Sequence, residues 1–159
     1  MRKGSDMDND SQKTISALTE MWHKMDSLYD LYAKSVGLNF PTILVLQILC
    51  NSAETYTQKD ICEKLGLPKQ FVNSIIKSFW EQGYVELKEA KDRRNKDIIV
   101  TNKGKEYALR VLKPLEDAEA VAWDSFSAEE IKALAKTTER YIKVFEIALE
   151  SIDTHGVKC

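Results

Sequence analysis

A chain of 159 residues accommodates one domain or two intimately packed ones, and 43% hydrophobic with 30% charged residues is the balance of an ordinary globular protein. A net charge of −2 excludes a polycation that coats nucleic acid indiscriminately. The longest apolar stretch, Phe40 to Cys50, contains Pro41, Thr42 and Gln47 and is far too short to cross a bilayer.

The opening residues 1–11 are polar and charged, without the apolar run of a secretory signal or anchor, and are expected to form a flexible tail. Ile15, Leu18, Trp22, Met25, Leu28 or Tyr29, Tyr32 and Val36 then recur at three- and four-residue steps, the stripe of a long amphipathic helix that Gly37 ends. Pro41 opens a second helix, Thr42 to Cys50, apolar on nearly every side and therefore central. Thr57-Gln58-Lys59-Asp60 has the form of a capping box, and the short helix behind it stops at Gly66.

From Lys69 to Gln82 the apolar residues Val72, Ile75, Ile76, Phe79 and Trp80 fall within about 140° at 100° per residue, which predicts a buried face. Gln70, Asn73, Ser74 and Lys77 occupy the opposite side, with Phe71 on the border. Two short helices split by a glycine turn, running into Gly83 and two β-rich stretches, Tyr84 to Lys88 and Ile98 to Thr101, have the punctuation of a helix-turn-helix followed by a hairpin. Between the strands, Lys91-Asp92-Arg93-Arg94-Asn95-Lys96 holds four cations and one acid with no apolar side chain, a composition suited to phosphate and groove contacts. Thr57 to Lys103 contains ten Lys plus Arg against seven Asp plus Glu, a local +3, so a chain of −2 overall carries −5 elsewhere.

Thr101 is placed to cap a further long helix traced by Tyr107, Ala108, Val111, Leu112, Leu115, Ala118 and Val121, in which Pro114 should introduce a bend. Ser127-Ala128-Glu129-Glu130 is a second capping box, leading Ile131, Leu134, Thr138, Tyr141, Phe145, Leu149 and Ile152 at helical spacing. The first helix and the two long C-terminal helices have apolar stripes longer than the segment between them can cover, which points to a second subunit. The alternative is that these helices pack only on each other.

Asp92-Arg93-Arg94 followed by Thr101-Asn102-Lys103-Gly104, behind a helix-turn-helix, resembles the MarR family of bacterial transcription regulators, whose wing carries Asp-x-Arg and ends in Thr-x-x-Gly. The resemblance covers about residues 12–152. It implies a mainly α fold, with a winged helix-turn-helix DNA-binding domain and two-stranded β wing at 39–103, and a dimerisation region built from N- and C-terminal helices at 12–36 and 104–152. It also implies a sequence-specific transcriptional regulator, a homodimeric repressor tuned by a small molecule. A winged-helix protein-interaction module without specific DNA binding is the rival from another class.

On this expectation, Lys69, Gln70, Phe71, Asn73, Ser74 and Lys77 face the major groove: amides pair with adenine, Lys77 with guanine or phosphate, and Phe71 touches a thymine methyl. Arg94, by resemblance, enters the minor groove, and Asp92 holds its guanidinium or simply forms the turn. Lys91, Arg93 and Lys96 contact phosphates. Two residues depart from the family pattern: Pro68 stands where a Ser commonly caps the reading helix, and Phe71 replaces a small polar residue. A dimer would set its two reading helices roughly 34 Å apart, on a pseudo-palindromic operator.

Family members commonly bind small aromatic or lipophilic compounds in a crevice beside the winged helix. Trp22, Met25, Tyr29 and Tyr32 could line it, combining apolar surface with hydroxyl groups, or serve as ordinary core or interface. His23 and His155 lie at opposite ends, and no nucleophile-base pair, phosphate loop or metal-ligand spacing occurs, so neither catalysis nor a metal or other cofactor is expected. Cys50, Cys62 and Cys159, widely spaced and odd in number, suit free thiols in a reducing compartment, and the expected location is cytoplasmic. Peroxide-sensing relatives place a reactive cysteine early in the first helix, whereas here the first is Cys50, in an apolar helix that disfavours a thiolate.

Overall fold

The computed structural model describes residues 8–51, 54–89 and 95–152. Helix α1 (Asn9–Ser35) starts where the Asp8 carboxylate accepts from Ser11 N at 2.7 Å, so Asn9 to Ser11 are helical although the sequence alone leaves them in the tail. The chain then turns through 83° into α2 (Phe40–Asn51), with Gly37 in the left-handed region at φ 74°. The Asn39 side chain, unnoticed in the sequence, caps α2 by accepting from Thr42 N and Thr42 Oγ1. Among the described residues, no single helix is long and apolar enough to cross a membrane.

Strand β1 (Tyr56–Thr57) leads into α3 (Gln58–Leu65), whose capping box is formed as expected: Asp60 N donates to Thr57 Oγ1, and Thr57 N to the Asp60 carboxylate. Gly66, at φ 63°, terminates it and α4 (Lys69–Glu81) follows. The hairpin is β2 (Val85–Glu89) and β3 (Lys96–Val100), from Val85 opposite Val100 to Glu89 opposite Lys96. This register sets Lys88 against Asp97 and Glu89 against Lys96, opposite charges that favour it. The wing is two-stranded as expected, and β1 adds a third strand to its sheet, in order β1-β3-β2, because Tyr56 and Thr57 pair with Ile98 and Asp97. A two-residue strand carries too little periodicity to show in the sequence.

The described residues form two compact units, one ending at Leu115 and the other beginning at Glu116. The boundary falls inside α5 (Asn102–Trp123). The first unit is built around α2: Ile43, Val45 and Leu46 are buried with Ile61 of α3, Val72 and Ile76 of α4, and Ala108 and Leu112 of α5. Each fully buried Ile or Leu contributes about 1.5–3 kcal/mol of transfer free energy. Tyr32 of α1 donates its hydroxyl to the Val111 carbonyl of α5, tying the end of α1 to this core.

The second unit holds the end of α5 and α6 (Ala128–Glu150). Ser127 and Glu130 close the second capping box, and the rings of Trp123 and Phe126 meet at 5.8 Å across the turn. No residue of α6 is buried, and Ile131, Leu134, Tyr141, Ile142, Phe145 and Leu149 are all exposed. An open groove of about 580 Å³ runs along it, with Ile131, Leu134 and Ile142 in its wall.

Candidate nucleic-acid interface

Helix α4 presents a polar face because its apolar one is fully engaged: Val72, Ile75, Ile76 and Phe79 are buried, and Lys69, Gln70, Asn73, Ser74 and Lys77 are exposed. The structure thus gathers these five predicted readers on one side of a rigidly seated helix. Phe71 lies at the border, 36% exposed. Trp80, expected in the buried face, is 55% exposed. It stands at the rim of the apolar arc, one residue from the helix end, where the indole reaches past the core.

Hydrogen bonding modifies this exposed face. Ser74 Oγ donates to the Gln70 carbonyl at 3.0 Å, which leaves its lone pairs as acceptors for a base edge. Lys77 Nζ is 3.7 Å from Glu81, an acid on the same face that the sequence reading passed over. Both partners are largely exposed, so this i,i+4 pair contributes little to stability and yields easily to a phosphate. Pro68 occupies the N-cap of α4 without a side-chain bond; its carbonyl accepts from Val72 N, and no hydroxyl competes for the first-turn amides. A helix start of that kind is electrostatically suited to an anion.

The base of the hairpin is fixed by the Thr101-Asn102-Lys103-Gly104 segment. Thr101 Oγ1 donates to the Gly83 carbonyl at 2.7 Å and accepts from Gly104 N at 3.0 Å, capping α5 while pinning the loop after α4. Lys103 Nζ donates to the Gln82 carbonyl and lies 5.4 Å from the Tyr84 ring centre, and Tyr84 stacks on Tyr107 at 4.2 Å. Helix α4 and the hairpin are therefore cross-braced. Lys96 is exposed at the start of β3, whereas Lys91, Asp92, Arg93 and Arg94 lie outside the described residues.

Of the proposed effector residues, Trp22 and Met25 are exposed on α1, Tyr29 stacks on Phe40 at 4.7 Å, and Tyr32 is committed to Val111. A separate cavity of about 440 Å³ lies along the flank of α4, walled by Phe71, Ser74, Ser78 and Gln82 with Leu38 and Tyr107. None of the four lines it. Burial pushes the Cys50 thiol above its ordinary value, partly offset by the Lys105 charge.

A sequence profile of the MarR family matches residues 36–95, the segment from the end of α1 through the hairpin. No curated protein matches the chain. Among solved structures, a MarR family regulator from Neisseria meningitidis shares 25% identity over 86% of this chain and 96% of that one, with a TM-score of 0.74. A MarR family regulator from Streptomyces coelicolor, solved in complex with DNA, covers 87% of this chain and 93% of its own at 15% identity and TM-score 0.71. MepR of S. aureus, in its DNA-binding conformation, covers 82% and 98% at 19% identity and TM-score 0.70. The MarR family profile thus spans the helix-turn-helix and the start of the hairpin, and the fold along the remaining helices is that of MarR family regulators of known structure.

Proposed function

We propose that this protein is a sequence-specific DNA-binding transcriptional regulator, a cytoplasmic homodimeric repressor whose operator affinity is tuned by a small aromatic or lipophilic effector. The observation that carries this reading is the one-sided seating of α4, which exposes Lys69, Gln70, Asn73, Ser74 and Lys77 together, ahead of a hairpin whose connecting sequence, residues 91–96, is rich in Lys and Arg. Those side chains supply the amide, hydroxyl and ammonium groups that major-groove base edges accept. The structure of the S. coelicolor relative on DNA supports the same use of the fold.

Dimerisation draws support from exposed apolar side chains at both ends of the chain. Ile15, Leu18, Met21, Met25 and Leu28 of α1, and Leu134, Ile142, Phe145 and Leu149 of α6, are each at least 46% exposed. Apolar surface of that extent is an interface in waiting. The effector acts by favouring one spacing of the two α4 helices over another, and the 440 Å³ cavity beside α4 has the size of a one-ring ligand site.

The test is selection of duplexes from a random-sequence pool, followed by titration of the winning duplex from about 50 to 200 mM salt. Steep salt dependence with preference for the selected sequence supports the proposal. Failure to enrich any sequence at low salt leaves the interaction-module reading in possession of the fold.

A further inference from the structure

The cavity of about 440 Å³ beside α4 has a wall without charge: among its described lining residues there is no Lys, Arg, His, Asp or Glu. Phe71, Phe79 and Tyr107 give it aromatic side chains. Burial pushes the Tyr107 phenol above its ordinary value, the neighbouring Tyr84 adds to the shift and the Arg110 charge opposes it, so this hydroxyl too is neutral at physiological pH. Lys103, the cation bonded to Gln82, is not part of the wall; its ammonium is held on the Gln82 carbonyl and over the Tyr84 ring.

Hydrogen bonds within the wall settle which way its amides point. Gln82 Nε2 donates to the Ser78 carbonyl at 3.2 Å and to Ser78 Oγ at 3.0 Å. A carbonyl can be met only by an N–H, so the Gln82 amide turns its nitrogen to α4 and keeps Oε1 as an acceptor. Ser74 Oγ spends its proton on the Gln70 carbonyl and likewise keeps its lone pairs. Asn39 is fixed the other way: Oδ1 accepts from Thr42 N and Thr42 Oγ1, which leaves Nδ2 as a donor. The wall therefore sets acceptors along α4 against an amide donor at the start of α2.

A carboxylate is acceptor only. Along α4 it would meet oxygen with oxygen, and no cation in the wall would offset the loss of its hydration. A ring bearing a primary carboxamide carries both kinds of group: N–H donors for Gln82 Oε1 and Ser74 Oγ, a carbonyl for Asn39 Nδ2, and an aromatic face for Phe71 and Tyr107.

We propose that this cavity takes an uncharged one-ring ligand bearing a carboxamide or an equivalent donor–acceptor pair, and rejects the aromatic carboxylate of the same shape. This rests on the effector reading above and fixes the charge class of the ligand.

The experiment titrates the isotope-labelled full chain with benzamide and, separately, with benzoate at neutral pH, following backbone amide shifts by nuclear magnetic resonance. Benzamide should move the signals of Leu38, Ser74, Ser78 and Gln82 and bind about tenfold or more tightly than benzoate, whose acceptors find no donor along α4. Ser78 is exposed, so Ser78→Lys can set an ammonium in the wall without disturbing the core, and it should reverse the preference. If benzoate moves the same signals of the wild type at equal or lower concentration, or if Ser78→Lys leaves the order unchanged, the charge class is refuted while the cavity stands as an effector site. If neither compound moves them, the charge class and the effector reading of this cavity both fall, and the DNA-binding reading is decided independently by duplex selection.

Discussion

A β-carbon on Gly104 would lie 2.1 Å from the carbonyl oxygen of Tyr84, inside any permissible contact. The first turn of α5 is thus laid directly on the loop that joins α4 to β2, and only hydrogen fits between them. Because the obstruction is backbone, no rotamer change relieves it. Gly104→Ala is expected to destabilise the protein by about 2–3 kcal/mol through forced displacement of α5 from the hairpin base. A urea denaturation midpoint equal to that of wild type would show that the two segments separate freely.

Tyr32 donates its hydroxyl to the Val111 carbonyl, and burial holds its phenol above the ordinary pKa. Tyr32→Phe keeps the ring and removes one hydrogen bond, so it should cost about 1 kcal/mol. Thermal unfolding checks the cost. Should the variant instead retain full stability and lose only its response to phenolic effectors, the hydroxyl serves ligand recognition.

The Thr57–Asp60 box yields a pH dependence. Hydrogen bonds from Thr57 hold the Asp60 carboxyl below its ordinary pKa, so the folded state binds that proton less readily than the unfolded chain. The contribution is fully present above the ordinary carboxylate value of 3.8 and is lost as pH falls through the depressed value. Asp60→Asn should therefore be less stable than wild type at pH near 6 and converge with it in acid, as read by circular dichroism melts. Thr57→Ala should cost about 1 kcal/mol at neutral pH.

Charge placed on the exposed face of α6 tests the assembly. Leu134→Glu combined with Phe145→Glu leaves no buried core residue altered, since neither side chain is buried. We expect unchanged helicity, monomers by sedimentation and loss of operator binding, because two half-sites must be held in register. A dimer that survives both changes would place the interface elsewhere.

Asn73 and Lys77 should separate by kind of contact. Asn73→Ala is expected to cost about 1–3 kcal/mol on the preferred sequence and to relax discrimination at one base pair. Lys77→Ala should weaken binding to all sequences if it meets phosphate, with the salt slope falling by about one. Titration against selected and scrambled duplexes distinguishes these patterns.

Much of the fold is written locally. Both capping boxes, the glycine that ends α3 and the buried residues Val72, Ile75, Ile76 and Phe79 follow from side-chain chemistry and the 3.6-residue period, which act within a few residues of each other. The same period places Lys69, Gln70, Asn73, Ser74 and Lys77 on one face of α4.

What the chain determines by itself stops at the range of those local rules. Trp80 falls within the apolar arc yet stands exposed, because burial depends on whether another element reaches the rim of that arc. The pairing of Tyr56 with Ile98, the crowding of Gly104 against Tyr84 and the meeting of Asn39, Gln82 and Tyr107 around one cavity join residues far apart in sequence. Periodicity carries no record of such neighbours. Only the packing of α3, α4, α5 and the hairpin on the shared core around α2 brings them within reach, and with them the surface on which DNA would rest.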